Sequence, residues 1–180
     1  KSNLFKEIWI QPASGDAGGS LGAALCAHHI VANNSRILEK EKSDKMQGSY
    51  LGPKYSQAEV EKRLDQVGAV YSSMSYKKMI ETTVEALGEG KAVGWFQGRM
   101  EFGPRALGGR SILGDPRLPS MQKDLNLKVK FRESFRPFAP SVLLEDLSDW
   151  FDLSEDSPYM LNVAKLKANR WKQKSDKEEK

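Results

Sequence analysis

Helical and extended patterns alternate along this chain, which predicts the α/β class: an open, twisted mixed sheet with flanking helices. Two further observations support it. Hydrophobic residues make up 39% and charged residues 29% of the 180, ordinary proportions for a globular chain long enough to bury a core. Short runs of β-branched and aromatic residues are also punctuated by glycine and proline, as strands set between helices are.

In chain order, Lys6 to Ile10 (KEIWI) reads as a strand that runs into a glycine-rich loop, Gln11 to Gly19. A small-residue helix is expected from Ser20 to about Ala32. Residues 34–55 hold no sustained period and end in glycine and proline. They are expected to be a linker between a first fragment, residues 1–33, and a main unit, residues 56–180. Ser56-Gln-Ala-Glu59 is a capping box, because serine and glutamate satisfy each other's free backbone donors; Val60, Leu64 and Val67 follow at helical spacing. Residues 69–72 look extended. A second helix is expected after Ser75, with Ile80, Val84 and Leu87 on one face and Gly88 at its end.

Ala92 to Phe96 reads as a buried strand, and Ile112 with Leu113 as part of another. Pro119 is expected to open a helix carrying Met121, Leu125 and Val129 on one side. Phe138 to Leu144 is a strand candidate, with Pro140 at an edge or a bulge. Ser148 to Phe151 reads as a helical turn and Tyr159 to Leu166 as one more strand. Lys167 to Lys180 is charged and aperiodic, and is expected to fray.

Composition narrows the function classes. The net charge of +4 and a pI near 9.1 give a mild bias towards anionic partners, far from the dense basic arrays of dedicated DNA binders. The single cysteine, Cys26, makes no internal disulfide, and a reducing cytoplasm is the expected location. No apolar run approaches transmembrane length and Lys1 carries no signal-peptide pattern, so no membrane partner is expected. The start in mid-pattern suggests a piece of a longer protein. His28 and His29 are adjacent on a helix and point about 100° apart, so they share no metal-binding face and no zinc site is expected.

Two motifs carry chemistry. In Gly15-Asp16-Ala17-Gly18-Gly19 a glycine loop opens a helix, an arrangement that suits an anion, but neither a G-x-G-x-x-G pattern nor a Walker lysine is present. Asp16 there is open to two readings, a helix cap or a metal ligand. The second motif, GRMEFGPRALGGRS at residues 98–111, combines three arginines with four glycines. Arginine supplies a permanently charged planar fork for phosphate or carboxylate oxygens, and glycine lets backbone approach a ligand closely.

Between Gln97 and Arg136 nine basic residues face four acidic ones, a net +5, while the rest of the chain sums to −1. Such concentration points to an anionic ligand. The bland reading is ion pairing, Glu101 with an arginine of its own loop and Glu133 with Arg132 or Arg136. Phenylalanines 96, 102, 131, 135 and 138 interleave with the basic residues, either to stack bases or, more economically, to fill buried strand positions. No nucleophile–base pair lies in the block, so charge stabilisation of the phosphoryl-transfer kind is the chemistry it suits.

The stretches QPASGDAGGSLGAAL, GRMEFGPRALGGRSILGDPR and KVKFRESFRPFAPSVL, in that order between residues 11 and 144, closely resemble the carbamoyltransferase family of nodulation-factor and antibiotic biosynthesis. The resemblance implies two parts: an actin-like ATPase-fold transfer domain and a YrdC-like α/β domain. The latter turns ATP and carbamoyl phosphate into carbamoyl-adenylate. The former, with a divalent metal (magnesium or iron), passes the carbamoyl group to a hydroxyl of a sugar or antibiotic. Residues 1–33 match the end of the transfer domain, where Asp16 is implied as a metal ligand. Residues 56–180 match the YrdC-like domain. There Arg105, Arg110 and Lys130 are implied as catalytic, and Arg99, Ser111, Arg132 and Arg136 as holding ATP and carbamoyl phosphate.

The transfer domain's histidines and the family's DGTAR-like and NTSFN-like motifs are not in this sequence. Truncation at the C-terminus and an inactive isolated chain are therefore expected, with the metal held only in the full-length protein. Small-molecule substrates and the missing transfer domain are the expected partners. A basic-groove RNA-binding module is the alternative, although nucleic acid is not the expected ligand.

Overall fold

The computed structural model describes residues 4–6, 8–37 and 44–171. It is a mixed α/β structure whose chain divides into two compact units, Lys1–Phe138 and Ala139–Lys180. The first unit contains α1 (Asp16–Cys26), α2 (Gln57–Gln66), α3 (Tyr76–Gly88), β1 (Val93–Phe96), β2 (Arg110–Leu113) and α4 (Met121–Asp124). A π-helical turn, Ala27–Val31, extends α1, and another, Leu125–Val129, extends α4.

Local signals place the helices of the first unit. The capping box forms as expected: Glu59 accepts from the Ser56 backbone N–H at 2.8 Å, and Ser56 Oγ accepts from Glu59 N–H at 3.3 Å. Ser75 caps α3 by accepting from Lys78 N–H at 3.3 Å. Helix α1 starts four residues earlier than expected, at Asp16, because Gly18 and Gly19 turn their N–H groups onto the Gly15 carbonyl instead of looping.

Strands β1 and β2 pair antiparallel, with Val93 opposite Leu113 and Phe96 opposite Arg110, and they form the single sheet among the described residues. The expected open mixed sheet is thus a two-stranded ribbon here. Residues 8–10, 138–144 and 159–165 adopt no strand. A strand needs a ladder partner. Residues 8–10 and 138–144 show none among the described residues, and 159–165 meet one only at the end, where the Lys165 carbonyl accepts from Asp152 N–H at 2.8 Å. Ile8, Trp9 and Val163 therefore stay 76%, 77% and 98% exposed. The buried apolar centre of the first unit is Met121 and Leu125, the inner face of the helix expected after Pro119. They pack over Gly114 at the end of β2, where a Cβ would lie 2.7 Å from Met121 Sδ and 3.0 Å from Leu125 Cδ1. A side chain there would push Met121 aside, so the close approach favours glycine at that point.

The expected linker, 34–55, carries a 3₁₀ turn at Gln47–Ser49 and a bridge from Lys54 to Arg99. Residues 38–43 of it lie outside the described residues, as do 172–180 of the segment expected to fray.

The second unit contains a 3₁₀ turn (Leu144–Asp146), α5 (Leu147–Trp150) and a 3₁₀ turn at Ala168–Arg170. A bridge joins Phe151 to Leu166, and Arg170 lies 4.6 Å over the Trp150 ring. Among the described residues no helix is long and apolar enough to cross a membrane.

Candidate functional site

The glycine–arginine stretch is the connection between β1 and β2. The ladder continues past Phe96 through Gln97 N–H onto the Gly109 carbonyl at 2.9 Å, and residues 98–108 then form the hairpin loop. Glu101 organises that loop from inside. Its side chain is fully buried, and Oε1 accepts from Leu107 N–H at 2.8 Å and Gly109 N–H at 2.7 Å. Oε2 makes no hydrogen bond and faces the Arg110 guanidinium, with Nε 3.3 Å away.

Burial alone pushes the Glu101 carboxyl up. The backbone N–H donors that converge on it outweigh that effect, and its pKa lies below the usual carboxylate value. Gly109 is glycine because a Cβ there would come 2.9 Å from the Arg99 carbonyl oxygen and 3.2 Å from Glu101 Cδ. A third element closes the loop: Tyr50 Oη donates to the Leu107 carbonyl at 2.6 Å, and burial followed by the nearby Glu101 charge raises the tyrosine pKa.

The fold sorts the basic block into two sets. Every acidic residue between Gln97 and Arg136 is taken by one cation: Glu101 by Arg110, Asp115 by Arg117 at 2.6 Å, Asp124 by Lys128 at 2.8 Å, and Glu133 by Arg136 at 3.1 Å. Both ion pairs anticipated for the block therefore form. Arg99, Arg105, Arg132, Lys123 and Lys130 have no carboxylate at ion-pair distance among the described residues, so the net +5 resides on these five side chains.

The individual candidates differ in how they are held. Arg99 is exposed, donates through Nη1 to the Gly52 carbonyl at 2.7 Å, and stands across the bridge from Lys54. Arg105 is exposed at the loop tip and Lys130 is exposed at the end of the π-helical turn. Arg110 is half-buried and also donates through Nη2 to the Gly103 carbonyl at 2.8 Å. Ser111 Oγ accepts from Gly108 N–H at 3.0 Å, which leaves its own proton available. Arg132 is half-buried, with Nε donating to Asn126 Oδ1 at 2.6 Å and its guanidinium 4.9 Å over the Phe138 ring. Residues 98–111 and 130–138 thus form two clusters, with no hydrogen bond or ion pair between them among the described residues.

Asp16 is exposed in the first turn of α1 and caps nothing through its side chain. Among the described residues no three His, Cys, Asp or Glu side chains gather as a metal would need. Sequence reasoning missed Tyr50, Gln122 and Asn126. Gln122 Nε2 donates to the carbonyls of Phe135 and Arg136, both at 3.1 Å, and Asn126 Nδ2 to those of Ser134 and Arg136 at 3.1 and 2.8 Å. The one available signal was an asparagine, a poor helix former, beside the apolar stripe of α4.

The family described as carbamoyltransferase C-terminus matches residues 84–177, just over half of the chain, including both arginine clusters. The chain belongs to that family. Among its relatives, the nodulation protein NolNO of Sinorhizobium fredii is 39% identical over 175 residues, covering 94% of this chain and 25% of that protein. The nodulation protein NolO of Bradyrhizobium diazoefficiens is also 39% identical, over 92% of this chain and 30% of its own length. An uncharacterized protein of Synechocystis, sll1178, is 56% identical over 93% of this chain and 27% of its own length. The chain therefore spans roughly a quarter to a third of the relatives it matches.

Proposed function

We propose that this chain is the carbamoyl-adenylate-forming part of an O-carbamoyltransferase, with a YrdC-like sheet completed in the full-length protein. It binds ATP and carbamoyl phosphate; water cleaves carbamoyl phosphate to carbamate and phosphate, and a carbamate oxygen then displaces pyrophosphate from the α-phosphorus of ATP to give carbamoyl-adenylate. The transfer part of the same protein, holding a divalent metal with Asp16 among its ligands, then passes the carbamoyl group to a hydroxyl of a sugar or antibiotic.

One observation carries this reading. Each carboxylate of the basic block is already engaged by a cation, yet five further cations lack an acid partner, three of them arginines. Unneutralised arginine forks suit the charge that develops on transferring phosphoryl and acyl-phosphate oxygens. Arg99, Arg105, Arg132 and Lys130 supply that charge, Ser111 offers a hydroxyl proton, and Arg110 and Arg136 hold the loops that carry them.

The test is calorimetric titration of the full-length protein with ATP and with carbamoyl phosphate. Arg105→Lys keeps the charge and loses the fork, so binding is expected to weaken about ten- to a hundredfold. Wild-type affinity in a folded Arg105→Lys variant would remove Arg105 from the site. The alternative reading, RNA binding, draws on Phe131 and Phe135, which stand 83% and 77% exposed among the free cations. RNA binding that falls steeply with salt, without ATP binding, would favour it.

A further inference from the structure

The six arginines of the block are anchored in different ways, and the difference is informative. Arg110, Arg117 and Arg136 each lie against a carboxylate, which fixes the side chain and cancels its charge. Arg132 is fixed equally well by a neutral group. Its Nε donates at 2.6 Å to the amide oxygen of Asn126, and its own backbone N–H donates at 3.0 Å to the Asn126 carbonyl. Asn126 is 0% exposed, and both faces of its amide are used, because Nδ2 holds the Ser134 and Arg136 carbonyls. The Phe138 ring supports one face of the guanidinium. What remains of Arg132 is its two terminal amino groups, which have no partner among the described residues.

We infer that Asn126 is a positioning residue that presents the Arg132 fork, with its charge intact, to a phosphate-type oxyanion. The inference rests on the phosphate reading of the block given above. An arginine that must be rigid yet fully charged needs a neutral acceptor, since a carboxylate at the same place would compete with the ligand. Fixing the fork in advance removes the cost of immobilising a rotamer-rich side chain on binding. Phe131, immediately before Arg132, adopts φ +51°, a left-handed conformation that the bonds from Asn126 to the flanking backbone help to maintain.

The experiment is a double-mutant cycle in the full-length protein, read by calorimetry with ATP and with inorganic pyrophosphate. Asn126→Ala is expected to weaken both about three- to tenfold in the wild-type background. In an Arg132→Ala background the same change should have no further effect, because Asn126 acts through Arg132. An equal loss in both backgrounds would make Asn126 a structural residue and overturn the inference. Arg132→Lys provides an independent arm that does not disturb the buried amide. It retains charge but cannot be held through Nε, and about tenfold weaker binding is expected; unchanged binding would also overturn the inference. If the wild type binds neither probe, the phosphate reading itself fails and takes this inference with it. If it binds both and only the coupling is absent, the phosphate reading stands alone.

Discussion

Replacing Glu101 with alanine removes the acceptor on which the glycine–arginine loop closes, and the cost follows from its contacts. Two backbone donors, Leu107 and Gly109, lose partners at 2.8 and 2.7 Å, and Arg110 loses the carboxylate 3.3 Å from its Nε. Hydrogen bonds to a charged acceptor contribute about 1.5–3 kcal/mol each, and a buried donor left unpaired, as at Gly109, costs about 1–3 kcal/mol. Because the contacts share one residue they do not add fully, and a local loss of about 3–5 kcal/mol is the expected total. Hydrogen exchange of the full-length protein measures this directly, since local opening free energies are read amide by amide. The Leu107 and Gly109 amides should exchange at least about a hundredfold faster in Glu101→Ala. Glu101→Gln, which keeps an oxygen for both donors but sets an N–H₂ group against Arg110, should fall in between. Unchanged protection at both amides in Glu101→Ala would refute the claim that this carboxylate organises the loop.

Acid should have a related effect. The folded pKa of Glu101 lies below its unfolded value of about 4.3, so its stabilisation is present above that value and is lost as pH falls through the folded pKa. The Gly109 amide shift, followed in glycine-labelled protein, should titrate with a midpoint below that of an unperturbed glutamate, and a midpoint above it would contradict the assignment. Gly109→Ala sets a Cβ 2.9 Å from the Arg99 carbonyl oxygen, a backbone atom that yields only if the loop moves, and about 1–3 kcal/mol of destabilisation is expected in urea unfolding. Gly94→Ala, with nothing within 4 Å of the new Cβ, is the control and should be near neutral; equal losses in the two variants would sink the steric argument.

What was legible in the sequence was local. The Ser56 capping box, the helix start after Ser75 and the pairing of Glu101 with an arginine of its own loop each involve residues fewer than ten positions apart, and all appear. Of the apolar side expected after Pro119, Met121 and Leu125 are buried while Val129 stays exposed. The strands expected at Lys6 to Ile10, Phe138 to Leu144 and Tyr159 to Leu166 had suitable residues, but strand formation depends on a distant partner that composition does not reveal. At the site the charges were visible and their sorting was not. Nothing in a list of arginines distinguishes one held by Glu101 from one held by Asn126, since an amide that pins carbonyls leaves no periodic trace. Asp16 belongs to the same class: its setting left a cap or a metal ligand open, and the structure makes it the first residue of the helix with no cap bond from its side chain.

The Tyr50–Leu107 bond also bears on how the protein is made. Its partners lie 57 residues apart, and the Arg99–Gly52 bond spans another 47. At about 5–20 residues per second, the ribosome adds Leu107 roughly 3–11 s after Tyr50, far longer than a helix or hairpin takes to form. During that interval the half-buried Tyr50 and buried Ser49 have no loop to pack against. The arginine loop thus closes seconds after the 49–54 stretch is made, and that stretch waits for its partners far longer than the hairpin takes to form.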